Sequence, residues 1–196
     1  MPTLDTTYWN NRYLAGQTGW DLGRVSPPLK AYIDQLTNKS VSILIPGGGN
    51  SYEALYLLEK GFTNITVIDL APAVIESLRA KAGMAYGKEL KLITGDFFAL
   101  EGQYDLILEQ TFFCALDPSL RNDYVQQMKA LLSGNGLLVG LLFNRDFDGG
   151  PPFGGNITEY RQLFAADFSI YTMEPCYNSI TPRAGTELFI RMGVRD

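Results

Sequence analysis

Three carboxylates stand where a ligand is to be expected. Asp69, Asp96 and Glu109 each follow a short apolar run, at 65–68, 90–94 and 104–108. Short β-branched runs bounded by turn residues read as buried parallel strands. The carboxyl ends of such strands are where open α/β sheets bind small molecules. A further run, 41–45, leads into Pro46 and then Gly47-Gly48-Gly49. Glycines there let the backbone turn sharply and approach a ligand closely. A glycine-rich first turn with an acid at the end of the second strand is how doubly wound folds hold a nucleoside ribose, which assigns Asp69. Asp96 is placed to accept from an adenine amino group, with an aromatic neighbour, Phe97, to cover the ring. Glu109 at the end of the fourth strand costs energy if it is buried unpaired, so it is either a ligand contact or a structural acceptor.

The nucleoside follows from what the glycine turn lacks. A dinucleotide site needs a small residue three places after its second glycine, for tight helix–strand packing. Tyr52 and Glu53 occupy the start of the helix instead. A carboxylate at a helix N-terminus opposes a pyrophosphate. S-adenosylmethionine has no phosphate and carries an ammonium, and it is the expected ligand.

The bulk composition narrows the chemistry. The chain has 196 residues, 46% of them hydrophobic, which suits one substantial core. Sixteen Lys and Arg against 21 Asp and Glu give a net charge of −5, with no basic cluster, so no nucleic-acid partner is expected. No stretch is long and apolar enough for a membrane span, and the N-terminus has no signal-peptide pattern. Two cysteines, Cys114 and Cys176, make no disulfide framework and fit a reducing, cytoplasmic setting. Histidine is absent, which excludes a His-based triad, a His metal site and the commonest general base; no metal is expected. The expected partner is a small-molecule acceptor, and the expected assembly a monomer.

The elements that position these groups alternate along the chain. A short helix over 6–15 carries Tyr8, Trp9 and Tyr13, and a glycine-broken loop carries Trp20; this segment is either a packing cap or a lid over a ligand. Pro27-Pro28 opens a second helix. Asn50 and Glu53 have the spacing of a capping box for the helix after the glycine turn. Pro72 opens the next helix, and Asp117-Pro118 caps another whose Tyr124, Val125, Met128, Leu131 and Leu132 face inward. Gly134 and Gly136 end that helix before a fifth strand at 137–143. A glycine- and proline-rich loop at 144–155 suits a substrate wall. Asn156 with Glu159 starts the last helix. Strands at 168–173 and 186–192 are too close for a crossover and should pair antiparallel. The expected fold is α/β and Rossmann-like: a seven-stranded, mostly parallel sheet with an antiparallel last strand and helices on both faces.

Several segments occur here in a family's order: Trp9-Asn10-Asn11-Arg12-Tyr13, Gly19-Trp20-Asp21, Ile45-Pro46-Gly47, Val67-Ile68-Asp69, Gly95-Asp96-Phe97-Phe98, Phe112-Phe113-Cys114-Ala115-Leu116, Gly149-Gly150-Pro151-Pro152-Phe153 and Pro182-Arg183. The sequence resembles the thiopurine S-methyltransferase-like family, and within it the thiol, halide and thiocyanate methyltransferases more than the thiopurine enzymes. The resemblance implies one class I methyltransferase domain over 1–196, with 1–36 as an N-terminal helical lid. It also implies a donor site in which Trp9 and Trp20 line the lid side and Gly47, Gly48 and Gly49 pass beneath the methionine part. Asp69, with Leu70 beside it, would hold the ribose, Asp96 and Phe97 the adenine, and Glu109 would meet the donor. Phe113 would lie near the acceptor. The middle glycine is often cysteine in relatives, and plant relatives can carry tyrosine at the place of Phe153.

The chemistry agrees with the resemblance. A sulfonium methyl is already activated, so a thiolate, bisulfide, iodide or thiocyanate attacks it without a dedicated base. The protein's task is alignment in a desolvated aromatic pocket. Phe113, Phe153, the 144–155 loop and Tyr171 or Tyr177 are expected around the methyl, and Arg145 and Arg183 to attract an anionic acceptor. Alternatives are a thiopurine-like or other small aromatic acceptor, or a non-catalytic S-adenosylmethionine-binding protein. Base methylation is disfavoured: the Asp/Asn-Pro-Pro-aromatic stretch it needs after strand four is replaced by Glu109-Gln110-Thr111-Phe112.

Overall fold

The computed structural model describes residues 3–195. Met1, Pro2 and Asp196, the outermost residues of the expected domain and lid spans, lie outside the described residues. The chain forms two compact units, Met1–Leu100 and Glu101–Asp196.

In the first unit, β1 (Ile43–Pro46), β2 (Ile65–Asp69) and β3 (Leu90–Thr94) are parallel neighbours. β1 and β2 are buried at every position, as their unbroken apolar runs require. The register sets Pro46 opposite Ile68 and Asp69 opposite Thr94, so the glycine turn and the Asp69 carboxylate emerge at the same edge. α3 (Tyr52–Glu59) buries Ala54, Tyr56 and Leu57, and α4 (Pro72–Ala82) buries Val74, Ile75 and Leu78. α1 (Thr6–Leu14) has no fully buried residue. It still packs on α4: Trp9 and Tyr13 lie against Ala71, Val74 and Ile75.

The expected Asn50–Glu53 capping box does not form. Ser51 is the N-cap, in a left-handed conformation (φ 44°), with no side-chain cap bond. Both supposed capping side chains have long-range partners. Asn50 Nδ2 donates to Asp21 Oδ2, and Lys81 Nζ donates to Asn50 Oδ1 at 3.2 Å. Glu53 Oε1 instead accepts from the backbone N–H of Ser26 at 2.9 Å, at the start of α2 (Pro27–Ile33). The Glu53 carboxylate therefore reaches the N-terminus of α2 instead of returning to Asn50.

In the second unit, β4 (Tyr104–Gln110) pairs in parallel with β5 (Leu132–Phe143), β5 pairs antiparallel with β7 (Glu187–Val194), and β7 pairs antiparallel with β6 (Phe168–Pro175). β5 begins at Leu132, five residues earlier than expected: Gly134 and Gly136 lie inside the strand, and a register shift between Tyr104 and Leu106 absorbs the irregularity. A 3₁₀ turn over Pro118–Leu120, capped by Asp117, precedes α5 (Arg121–Leu131). α5 buries Tyr124, Val125, Met128 and Leu131, one face of a helix. α6 (Ile157–Phe164) is capped as expected, Asn156 Oδ1 accepting from Glu159 N at 3.0 Å, but the Glu159 carboxylate pairs with Arg121.

α4 takes its N-terminal cap from outside itself. Its N-cap is Ala71, which offers no side-chain acceptor; Asn10 Oδ1 of α1 accepts from Ala73 N at 2.9 Å instead. Asn10→Ala removes that acceptor and should lower unfolding stability by about 1 kcal/mol, the usual worth of an N-cap, with secondary structure intact. Urea denaturation followed by circular dichroism checks it; an unchanged midpoint would show that the contact contributes nothing.

Candidate functional site

In the first unit the site is built on Asp69. Its carboxylate is 8% exposed, with Oδ2 accepting from Gly49 N at 2.9 Å and Oδ1 from Ala71 N at 2.8 Å. Burial raises its pKa, and the N–H groups of Ala71, Gly49 and Leu70 oppose that rise. One side chain thus ties the turn after β1 to the turn after β2. Each carboxylate oxygen can accept more than one hydrogen bond, so capacity remains for a ligand hydroxyl.

The glycine turn is bare because it must be. Gly47 and Gly49 have φ of 54° and 53°. A Cβ on Gly48 would collide with the Val67 side chain, and one on Gly49 would sit 2.5 Å from the Tyr13 hydroxyl. Ser51 Oγ, buried beside this turn, has no hydrogen-bond partner among the described residues. Side-chain-free backbone, a fixed carboxylate and an unsatisfied hydroxyl fit a nucleoside with an amino-acid end.

The N-terminal aromatics assemble over this turn. Trp20 stands edge-on to Trp9, with ring centroids 5.7 Å apart, and edge-on to Tyr13 at 5.8 Å. Burial, and then the charge of Asp69, raise the Tyr13 pKa above its ordinary value. Asp21, next to Trp20, holds Asn50 and lies 3.5 Å from the Tyr52 hydroxyl. Tyr13 joins this candidate group although sequence reasoning did not single it out; its place in the same aromatic segment was the available signal. Asp96 is exposed and accepts from Phe98 N at 2.9 Å. Phe97 is buried and meets Phe98 edge to face.

In the second unit Glu109 is wholly buried, and both oxygens of its carboxylate are engaged within the protein. Oε1 accepts from Phe112 N at 2.8 Å and Phe113 N at 3.1 Å, and Oε2 accepts from the Tyr124 hydroxyl at 2.7 Å. These bonds hold a tight turn in which Thr111 has φ of 59°, a strained region for a β-branched residue. Burial pushes Glu109 up to about 7, against the three hydrogen bonds. Gly140 pairs with Glu109 across the ladder, and a Cβ there would strike the Glu109 Cβ and carbonyl. The carboxylate expected at the donor is thus the structural acceptor of this turn.

The acceptor candidates separate. The Phe113 ring is 2% exposed, with centroid distances of 4.9 Å to Tyr124 and 5.5 Å to Tyr160. It is part of the aromatic core and not a pocket wall. Tyr171 is excluded by position. Its hydroxyl lies at Gly193, which pairs with Leu137 toward the start of β5, the end opposite Phe143, and its ring is covered by Arg191 at 5.1 Å. A register shift between Ile170 and Thr172 places it there. Tyr177 is 93% exposed.

Three candidates do gather near the carboxyl end of β5. Phe153 N donates to the Cys114 carbonyl at 2.7 Å, which fastens the 144–155 loop to the turn after β4. Arg183 lies over Phe143 at 5.5 Å and reaches Glu187 Oε1 at 3.4 Å. Arg145 is exposed, stacks on Phe147 at 4.6 Å and bridges to Gly155. The Cys114 thiol is pushed far up, by burial first and by Glu109 second, so it is no nucleophile. Among the described residues no cluster of His, Cys, Asp and Glu could hold a metal, and no helix is long and apolar enough to cross a membrane.

Comparison with known proteins agrees with this geometry. The sequence profile of the thiopurine S-methyltransferase (TPMT) family matches residues 4–188. The chain is 29% identical over 184 residues to probable thiol methyltransferase 2 of Arabidopsis thaliana, covering 91% of this chain and 81% of that one. It is 27% identical over 194 residues to thiocyanate methyltransferase 1 of Brassica oleracea, covering 94% and 84%. Its fold is similar to that of 1,6-didemethyltoxoflavin-N1-methyltransferase of Burkholderia thailandensis, solved with bound 1,6-didemethyltoxoflavin and S-adenosylhomocysteine, at a TM-score of 0.75 and 19% identity over 97% of this chain and 86% of that one. The fold is the Rossmann-like α/β fold of class I methyltransferases, with a seven-stranded mixed sheet. With the family profile running through both compact units, the chain belongs to the thiopurine S-methyltransferase family of S-adenosylmethionine-dependent methyltransferases.

Proposed function

We propose that this enzyme methylates a small, soft nucleophile: a thiol, bisulfide, thiocyanate or halide. The observation that carries the reading is the state of the turn after β4, whose ionisable groups offer no base. The sequence has no histidine, and the ionisable groups of the turn after β4 are all committed. Glu109 is closed off by three hydrogen bonds. Tyr124 donates to it and has its pKa raised by burial and then by the Glu109 charge. Cys114 is raised by burial. An alcohol or amine acceptor would need a proton removed; a thiol, with a pKa near about 8.5, offers a usable thiolate fraction unaided. The names of the Arabidopsis and Brassica relatives support the same acceptor class.

In this reading Asp69 accepts from the ribose hydroxyls, with Leu70 beside it. Gly47, Gly48 and Gly49 pass under the methionine part, Asp96 and Phe97 bind the adenine, and Trp9, Trp20 and Tyr13 close over the donor as a lid within residues 1–36. When bound, S-adenosylmethionine supplies an activated sulfonium methyl. Phe153 and the 144–155 loop exclude water on the acceptor side, and Arg145 and Arg183 draw an anion to it. The two compact units form one catalytic domain, a reading supported by the family match through both. The negative charge and the two free, buried cysteines support a monomer in the cytoplasm with no nucleic-acid partner.

Asp69→Ala should weaken S-adenosylhomocysteine binding by about 1–3 kcal/mol, the worth of lost charge-assisted hydrogen bonds. The variant also orphans two backbone N–H groups and should melt lower. Calorimetric titration of the folded variant reads the first effect, and unchanged affinity would remove Asp69 from the site.

With a thiol acceptor, kcat/KM should rise with pH until the thiol is ionised, whereas iodide, which does not titrate, should give a flat profile. Parallel pH profiles with labelled donor test this; faster transfer to a catechol oxygen or an amine would defeat the proposed acceptor class.

Glu109→Gln should leave the thiol pH profile unchanged, because Glu109 is no base here. It should instead change stability. The native state holds the Glu109 proton more tightly than the unfolded chain does, so the stabilisation is complete below the ordinary carboxylate range and is lost as pH rises through about 7. The wild-type advantage over Glu109→Gln in urea should therefore shrink between about pH 5 and 8, across the window set by that shift. A constant difference would contradict the assignment.

A further inference from the structure

We infer that Arg121 is a positioning residue for the acceptor side of the site, acting by fixing where the 144–155 loop returns toward β5. The inference rests on the proposed reading of that loop as the acceptor wall. Arg121 opens α5, yet its side chain is buried, with 9% exposure, and its contacts lie in three other segments. Nη2 donates to the Gly154 carbonyl at 2.6 Å. Nη1 pairs with Glu159 Oε1 on α6. The guanidinium lies 5.1 Å from the centre of the Phe113 ring, in the turn held by Glu109, and 5.9 Å from that of Tyr160.

Gly154 is where the loop has least freedom. A Cβ there would collide with the Arg145 carbonyl, and the next residue, Gly155, donates its N–H to that same carbonyl at 3.0 Å. Holding the Gly154 carbonyl therefore fixes the backbone of Arg145, the exposed cation at the other arm of the loop. The second tether of this loop, Phe153 N to the Cys114 carbonyl, ends on the residue after Phe113, which Arg121 covers. Arg121 thus joins the loop, at Gly154, to the turn after β4, next to the Phe153 tether.

α6 does not depend on the same contact. Asn156 already caps it, Tyr160 and Phe164 are buried, and the Tyr160 hydroxyl donates to the Phe143 carbonyl at 2.8 Å. A partly exposed ion pair such as Arg121–Glu159 adds little to stability. What the planar guanidinium provides is two simultaneous, directed donors with an aromatic face, and a lysine ammonium cannot reproduce that geometry.

The test is Arg121→Lys, which keeps the charge and loses the fork, with Glu159→Gln as a milder variant that leaves the Gly154 contact in place. Arg121→Lys should raise the KM for benzenethiol roughly tenfold or more, as expected for a displaced acceptor, while the Kd for S-adenosylhomocysteine stays within roughly twofold. Glu159→Gln should move the acceptor KM in the same direction by a smaller factor. Hydrogen exchange should speed up at amides 145–155 in Arg121→Lys and remain slow in α6. Equal exchange in both proteins would overturn the inference, whether or not the wild type turns over benzenethiol; so would faster loop exchange with an unmoved acceptor KM, or equal losses for acceptor and donor. A wild type inactive on every thiol and halide would sink the proposed function instead, and the exchange experiment would still decide the loop. If Arg121→Lys fails to fold, Glu159→Gln gives the same readouts, and an unchanged acceptor KM and unchanged loop exchange in it would overturn the inference.

Discussion

A single buried charge organises the first unit. The Asp69 carboxylate is held by backbone N–H groups from two different turns, Gly49 after β1 and Ala71 before α4. An isolated carboxylate at that depth would be expensive, and it is tolerated because its neighbours are donors that have no other partner in their turns. The glycines follow from that bond. The Gly49 N–H reaches Asp69 only from a left-handed conformation, and Val67 and the Tyr13 hydroxyl fill the space where side chains would lie. The same carboxylate starts α4 on one side, while Asn10 completes that start from the other and seats α1 on α4. The polar atoms that hold these turns together are thus the same ones the proposed donor site would use.

Glu109 is a second buried carboxylate with the opposite outcome. Both of its oxygens are occupied inside the protein, and its work is to hold the strained turn at Thr111. The contrast lies in the neighbours. Asp69 is held by backbone donors alone, beside the glycine turn, whereas Glu109 faces two backbone donors, a tyrosine hydroxyl and the packed Gly140 strand. Position at a strand end does not by itself make a carboxylate a ligand contact.

The sequence was legible where local pattern and tertiary environment agree. The apolar runs became β1 to β4, and the pairing of the last two strands followed from the short connection between them. The Asn156 cap formed because its partner is three residues away and nothing competes. The Asn50–Glu53 box has the same spacing and failed, because Asp21 takes the asparagine and the Ser26 amide takes the glutamate, and those partners lie more than twenty residues off. The early start of β5 escaped notice because its glycines read as a break. The glycine turn, Asp69 and the end of β3 emerge at one sheet edge, as three parallel neighbouring strands require. The acceptor side was harder: which way Phe113 turns depends on Tyr124 and Tyr160 from distant helices, and where Tyr171 ends up depends on a register shift. Neither is encoded in spacing.

The edge-on contact of Trp9 with Trp20 has a spectroscopic meaning. These are the only two tryptophans in the chain, and both sit in the N-terminal segment that packs on α4. Indole emission therefore comes entirely from that segment, and the second compact unit contributes none. The protein carries a built-in fluorophore pair that reports on this segment alone, with no label required.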